Sequence, residues 1–286
     1  LILVNDGSTD KTPEICDKYA LNDQRIKVIH KPNGGLVSAR NTGYKASVGG
    51  WVMYLDGDDW LKKNTFEELV KVIEVHNPEI VFWKTSQNLK GKVITGKAEW
   101  KCDNDEKLYI NSECDSLAYN TLVYSSGIST AFSKLLRRDF VEEHKLWHNT
   151  KLRQGAEGIE FSLRVFDSAK KALFINQYFT NYRYNEDSIS KRIDEKNTTY
   201  IIECFNEIHK YINHNPKKDY FLPVFYERIL YILIAIAMST YFHPKNKESL
   251  LIRIKKYKNL IHNTLVFKDA LHYGKIERLD KFRKVT

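Results

Sequence analysis

Asp56, Asp58 and Asp59 place three carboxylates within four positions, directly after the apolar run Trp51-Val52-Met53-Tyr54-Leu55. Like charges this close repel one another, and removing them from water is costly. A divalent cation is a natural counter-charge, because hard cations take carboxylate oxygens. The competing use is helix capping, since aspartates satisfy free N–H groups at a helix start and favour its dipole. A helix is predicted over about residues 64–76, so capping could account for Asp59. The apolar run has the character of a buried strand, and open α/β sheets bind ligands at the carboxyl edge of their strands. That position favours a ligand site.

Such a cluster needs a sheet to hold it, and the preceding residues supply one. Leu1-Ile2-Leu3-Val4 is apolar throughout, as in a strand covered on both faces. It runs into the polar turn Asn5-Asp6-Gly7-Ser8-Thr9-Asp10. Thr12 then Pro13 reads as an N-cap followed by proline at the first helical position. A second strand is predicted over 25–29. The loop from His30 to Gly35 ends in two glycines, suited to positive φ or close backbone approach. A helix carrying Ser38, Arg40 and Asn41 stops near Gly49-Gly50, and strands follow over 51–55 and 79–83. Alternating strands and helices of this length indicate right-handed crossovers and a mostly parallel sheet flanked by helices. The loops at Asp6 and Asp56 then open on one edge.

Beyond this unit the pattern predicts a hairpin over 84–100, a short helix over 112–120 and a strand over 133–137. An amphipathic helix is expected over 157–169, with Ile159, Phe161, Leu163, Val165 and Phe166 as its apolar positions. A last strand is expected over 180–184. From about residue 196 to 272 the chain reads as all-helical, with breaks at 213–216 and 243–244. A domain boundary near 190 separates an α/β unit, 1–190, from a helical region, 191–286.

The formal net charge is +9 over 286 residues, and residues 245–286 hold twelve Lys/Arg against four Asp/Glu. A basic tail on a nearly neutral body argues against a general nucleic-acid binder, and no stacking pattern of aromatics is present. The predicted tail helix over 248–263 carries Leu250, Leu251, Ile254, Tyr257 and Ile261 on one side. It reads as a core-packing helix with a solvated basic face, and also allows peripheral contact with an anionic membrane. The helical region likewise allows a homo-oligomer. Cys16, Cys102, Cys114 and Cys204 lack C-x-x-C spacing, as expected of reduced thiols in a cytoplasmic protein. The apolar run from Ile229 to Phe242 is shorter than the roughly 20 residues of a spanning helix and reads as a core helix. No signal peptide is recognisable.

Four segments together resemble the family-2 glycosyltransferases with the GT-A fold. Val4 to Asp10 resembles the family's first nucleotide-binding loop. Gly34-Gly35-Leu36-Val37-Ser38-Ala39-Arg40-Asn41 resembles its G-G-x-x-x-A-R-N helix start. Leu55-Asp56-Gly57-Asp58-Asp59-Trp60-Leu61 resembles its D-x-D metal motif, and Ser133-Lys134-Leu135-Leu136-Arg137-Arg138 its K-L-x-R-R segment. The match covers about residues 1–190. It implies an inverting transferase that uses a nucleotide-diphosphate sugar, UDP-linked, and a glycan or lipid-linked acceptor in bacterial surface polysaccharide synthesis. It places the protein in the cytoplasm or at the inner face of the plasma membrane.

The resemblance also implies roles. Asp6 would accept a hydrogen bond from the base, with Ser8 in the same loop. Arg40 would stand near the uracil or the diphosphate, unless it is tied to a nearby aspartate. Asp56 would hold the ribose or a metal-bound water, and Asp58 would ligate Mg²⁺ or Mn²⁺. The family's base lies in an E-D-x-x-F segment, which here reads Glu157-Gly158-Ile159-Glu160-Phe161. Gly158 stands at the usual Asp, so Glu157 is the first candidate base and Glu160 the second. Both are also ordinary first-turn helix acids. Arg183 or Ser188 would lie near phosphate. The family's first strand and helix precede the Asp6 loop and are not in this sequence; a chain starting at Leu1 would bind nucleotide weakly and expose a sheet edge. The alternative is a non-catalytic module of the same fold that binds nucleotide or a partner.

Overall fold

The computed structural model describes residues 1–89, 91–95, 99–185 and 195–275. In chain order the first half holds β1 (Ile2–Asn5), α1 (Thr12–Asn22), β2 (Lys27–His30), α2 (Leu36–Ala46), β3 (Trp51–Met53), β4 (Trp60–Leu61), α3 (Thr65–His76), β5 (Ile80–Leu89) and β6 (Lys92–Ile94). There follow β7 (Glu106–Ile110), α4 (Ser112–Leu122), β8 (Lys134–Arg137), α5 (Arg138–Glu143), α6 (Glu157–Ser168) and β9 (Lys171–Arg183). The last part is helical: α7 (Glu195–Asn213), α8 (Lys218–Ile236) with a π-helical continuation (Ala237–Tyr241), α9 (Leu250–Asn263) and α10 (Leu265–Tyr273).

The expected α/β class holds, with mixed pairing. β1 and β2 pair in parallel. The larger sheet has the order β3-β8-β5-β9-β4, with β6 on β5 and β7 on β9. β5 and β9 run parallel over their length. β8 enters between β3 and β5 and runs antiparallel to both. It reaches that slot after an excursion through β7 and α4, not by a short crossover, so the parallel rule of the first elements does not extend to it. β4 and β7 also pair antiparallel to β9.

Strand periodicity explains the core. Ile80 and Phe82 of β5 face one side with Leu136, Ala172 and Phe174, where α4 and α6 add Leu117, Leu122, Phe161 and Phe166. Val81 and Trp83 face the other with Leu135, Leu173 and Ile175, where α3 contributes Leu69. Both faces of β5 are dry, so its sequence is an unbroken apolar run. The first core is continuous with the C-terminal helices through Phe205, Ile208, Phe225, Ile229 and Phe267.

Two sequence expectations change. The helix containing most of the run 229–242 begins at Lys218, and Lys218–Tyr241, 24 residues long with an 18-residue window of mean hydropathy 1.8, is long and apolar enough to cross a membrane. Half of that window is nevertheless buried inside the protein, as a core helix requires. The apolar face expected of α9 is incomplete, because Leu250 and Leu251 are 55% and 80% exposed. Ile254 is half-buried, and Tyr257, Leu260 and Ile261 pack on the core. β7 and the first half of β9 were not legible as strands.

Candidate active site

The site is built around α2. At its N-terminus, Asp6 leaves the end of β1 and accepts from Lys31 Nζ at 2.5 Å and from the N–H groups of Gly34 and Gly35 at 2.9 and 2.7 Å. Burial works against the Asp6 charge, but Lys31 and the two amides outweigh it and hold the carboxyl below its ordinary value. Gly35 has φ +84°, and a Cβ there would lie 2.5 Å from Arg153 Cγ. Glycine is needed for the turn and for the close approach of the 153 loop. Ser8 is exposed, and its N–H donates to Asn5 Oδ1 at 3.0 Å.

One turn into α2, Arg40 is 8% exposed. Its guanidinium donates to Asp56 Oδ1 at 2.9 Å and to Glu157 Oε1 at 3.0 Å. Burial alone would weaken its charge, but the two carboxylates prevail and raise its pKa. Arg40 therefore bridges the strand-end cluster to the start of α6. The next residue, Asn41, exchanges hydrogen bonds with the backbone of His148 at 2.8 and 3.0 Å. α2 thus anchors the 144–156 loop as well.

The aspartate cluster forms a tight turn between β3 and β4. Asp59 N–H donates to the Asp56 carbonyl at 3.0 Å. Asp59 Oδ1 accepts from the Arg183 N–H at 2.9 Å, and Arg183 Nε donates to the Asp58 carbonyl at 3.1 Å. The Arg183 guanidinium lies over the Trp60 ring, 5.4 Å from its centroid. Capping does not account for Asp59: the N-cap of α3 is Asn64, and Asp59 is spent on β9. Ser188 lies outside the described residues.

Asp59 Oδ2 is buried without a hydrogen-bond partner. Its burial, with Asp58 and Asp56 beside it, pushes the carboxyl up to about 6. Asp58 is exposed alongside. Among the described residues no group of three or more His, Cys, Asp or Glu side chains is arranged to hold a metal ion by itself. An orphaned carboxylate oxygen beside an exposed one fits a cation such as Mg²⁺, which takes one or two carboxylates and completes its shell with substrate phosphate oxygens and water.

Glu157 and Glu160 open α6, and both are buried. The structure separates them. Glu157 turns to Arg40, whereas Glu160 is held by Arg164 at 2.7 and 3.0 Å and faces a different groove. Gly158 is closely packed: a Cβ would lie 3.1 Å from Ala131 N and 3.1 Å from Ser129 O. Lys31, Arg153 and His148 are participants with no sequence signal, since each acts through a contact far along the chain, whereas the Glu160–Arg164 pair is local to α6 at i,i+4 spacing.

A family model described as "Glycosyl transferase family 2" matches residues 1–144. EpsJ, an uncharacterized glycosyltransferase of Bacillus subtilis (strain 168), is 32% identical over 67% of this chain and 54% of its own length. The chondroitin synthase of Pasteurella multocida (strain Pm70) is 26% identical over 96% of this chain and 29% of its own length. The chain spans about half the length of the first curated relatives it matches. The crystal structure of S. aureus TarS 1–349 in complex with UDP-GlcNAc superposes with a TM-score of 0.68 at 18% identity, covering 94% of this chain and 71% of that one.

Proposed function

This chain belongs to glycosyl transferase family 2, and from that premise we propose that it is an inverting glycosyltransferase. It moves a sugar from a nucleotide-diphosphate donor, a UDP-sugar, to a glycan or lipid-linked acceptor in bacterial surface polysaccharide synthesis. The reaction takes place in the cytoplasm, at the inner face of the membrane. The relatives in polysaccharide synthesis and the fold shared with a UDP-GlcNAc-bound protein support this reading.

The observation that carries it is the buried Arg40 bridge. One guanidinium joins Asp56 on the donor edge to Glu157 at the start of α6, so both halves of a transfer site share one element. In the proposed reaction Asp6 and Ser8 line the base side and Asp56 the ribose. Asp58, with Asp59 beside it, would hold Mg²⁺ or Mn²⁺, which neutralises charge on the departing diphosphate when bound. Glu157 keeps one oxygen on Arg40 and takes the acceptor hydroxyl proton with the other. The acceptor oxygen bonds to the anomeric carbon as the bond to the diphosphate oxygen breaks, leaving with its electron pair. Glu160, with both carboxylate oxygens held by Arg164, serves less well as a base. The test is UDP-sugar turnover that requires divalent metal. Loss of turnover in Asp58→Ala and Glu157→Gln, each by about 100-fold or more, is expected; unchanged turnover in either removes that residue's role.

A second reading, a non-catalytic module that binds nucleotide, is favoured by Gly158, which leaves no carboxylate at the family's usual position. Titrating UDP with Mn²⁺ by calorimetry and assaying donor hydrolysis separates the two. Binding without turnover selects the second.

A further inference from the structure

A groove of about 510 Å³ opens between the 144–156 loop, the first turns of α6 and the α7–α8 connection. It is distinct from the donor edge, because neither Asp6 nor any residue of the 56–59 turn lines it. On its inner wall His148 is 1% exposed, and neither ring nitrogen has a partner. The imidazole is fixed by stacking on Phe161 at 4.1 Å and by an edge contact with Tyr54 at 5.0 Å. Burial, with the charges of Arg40 and Arg164 nearby, keeps it neutral. A neutral imidazole offers one donor and one acceptor, and buried polar groups left unpaired are uncommon in native structures.

Beside His148, Trp147 is 40% exposed. Its carbonyl accepts from Arg164 at 2.9 Å, which fixes the backbone that carries the indole. Charges around the groove nearly balance: Lys145, Arg164 and Lys210 stand against Glu160 and Glu207. A balanced rim does not select a polyanion. A partly exposed indole next to neutral hydrogen-bonding groups suits a molecule with an apolar C–H face and hydroxyl edges. The volume lies within the range of small-ligand sites, enough for a short run of sugar rings.

We propose that this groove binds pyranose units of a neutral glycan, stacking one ring on Trp147 and meeting its hydroxyls with Asn149 and Glu207 on the rim. Glu160 lines the groove wall, whereas Glu157, one helical turn before it, does not, so a glycan lying here is held to one side of the Arg40–Glu157 pair. Assignment as the distal part of an acceptor site rests on the transferase reading; the binding itself does not.

The probes are chitotetraose, cellotetraose and maltotetraose, titrated by calorimetry into the full chain. At least one is expected to bind saturably. Binding weakens roughly tenfold in Trp147→Ala, the loss of one aromatic contact, and far less in Trp147→Phe, while UDP affinity is unchanged in both. Three results overturn the proposal: no saturable binding by any of the three, equal binding by Trp147→Ala, or displacement of the sugar by UDP. Donor turnover measured in parallel keeps the two readings apart. Sugar binding without turnover sinks the transferase reading alone. Turnover whose acceptor KM is unmoved by Trp147→Ala sinks the groove alone.

Discussion

Gly158 decides which acid can act at the start of α6. A Cβ there would lie 3.1 Å from the backbone of Ser129 and Ala131, a tight contact that the 129–131 backbone must yield by a few tenths of an ångström to relieve. Restoring the family's usual aspartate therefore does not create a better base. Gly158→Ala is expected to cost about 1–3 kcal/mol through overpacking. Gly158→Asp should cost more and leave turnover no higher. Urea denaturation and a donor assay check both; a Gly158→Asp variant as stable as the parent would show that the 129–131 backbone yields. At Arg40 the decisive quantity is charge. Removing it in Arg40→Met leaves Glu157 buried without its partner, a change that costs about 3–5 kcal/mol at well-buried sites. Because Asp56 retains some exposure, at 27% of its side chain, the lower end is expected. The double variant Arg40→Met/Glu157→Gln should recover part of the loss, and a double-mutant cycle measures it.

At the scale of elements, α2 acts as a strut. Its first turn fixes Asp6, its middle fixes Asp56 and Glu157, and Asn41 fixes the 144–156 loop. The strand β8 carries a different feature. Lys134 is 2% exposed; it donates to the Thr130 carbonyl and lies 5.6 Å from the Phe166 ring centroid. Burial pushes its pKa down to about 7. In the unfolded chain a lysine stays protonated to about pH 10.4. Between about pH 7 and 10 the unfolded state therefore holds more protons, and this residue makes stability rise with pH. Below about 7 both states are charged and the burial cost is constant. Lys134→Met should flatten that slope and be as stable as the parent or more so at pH 6, by about 1 kcal/mol or more. Denaturant titrations at pH 6, 7 and 9 test it; an unchanged slope would remove Lys134 as its source.

At the scale of the molecule, the core does not stop at residue 190. Phe161 and Phe166 of α6 belong to the same apolar cluster as Phe205, Phe225 and Phe267. Cutting the chain after 194 exposes that surface. The expected product is an aggregating or partly folded protein, not an independent α/β domain. Size-exclusion chromatography with circular dichroism checks this, and a monodisperse, cooperatively unfolding 1–194 piece would instead support the division near 190. Much of the fold was legible: α1, α2, α3, α4, α6 and the C-terminal helices lie close to their expected positions. β7 escaped because Glu106-Lys107-Leu108-Tyr109-Ile110 lies at a sheet margin with little alternation.

The sequence by itself determined the fold class, the family resemblance and the clustering of acids at a strand end, because local periodicity and short motifs are properties of neighbouring residues. The tertiary structure alone decided where those acids point. Arg40 meets Glu157 across 117 positions, and Asp59 meets Arg183 across 124. Glu157 is drawn to the distant Arg40, while Glu160, three positions on, is held within α6 by Arg164. Buried charge must find a partner wherever the fold supplies one, and no local pattern encodes which distant residue that is.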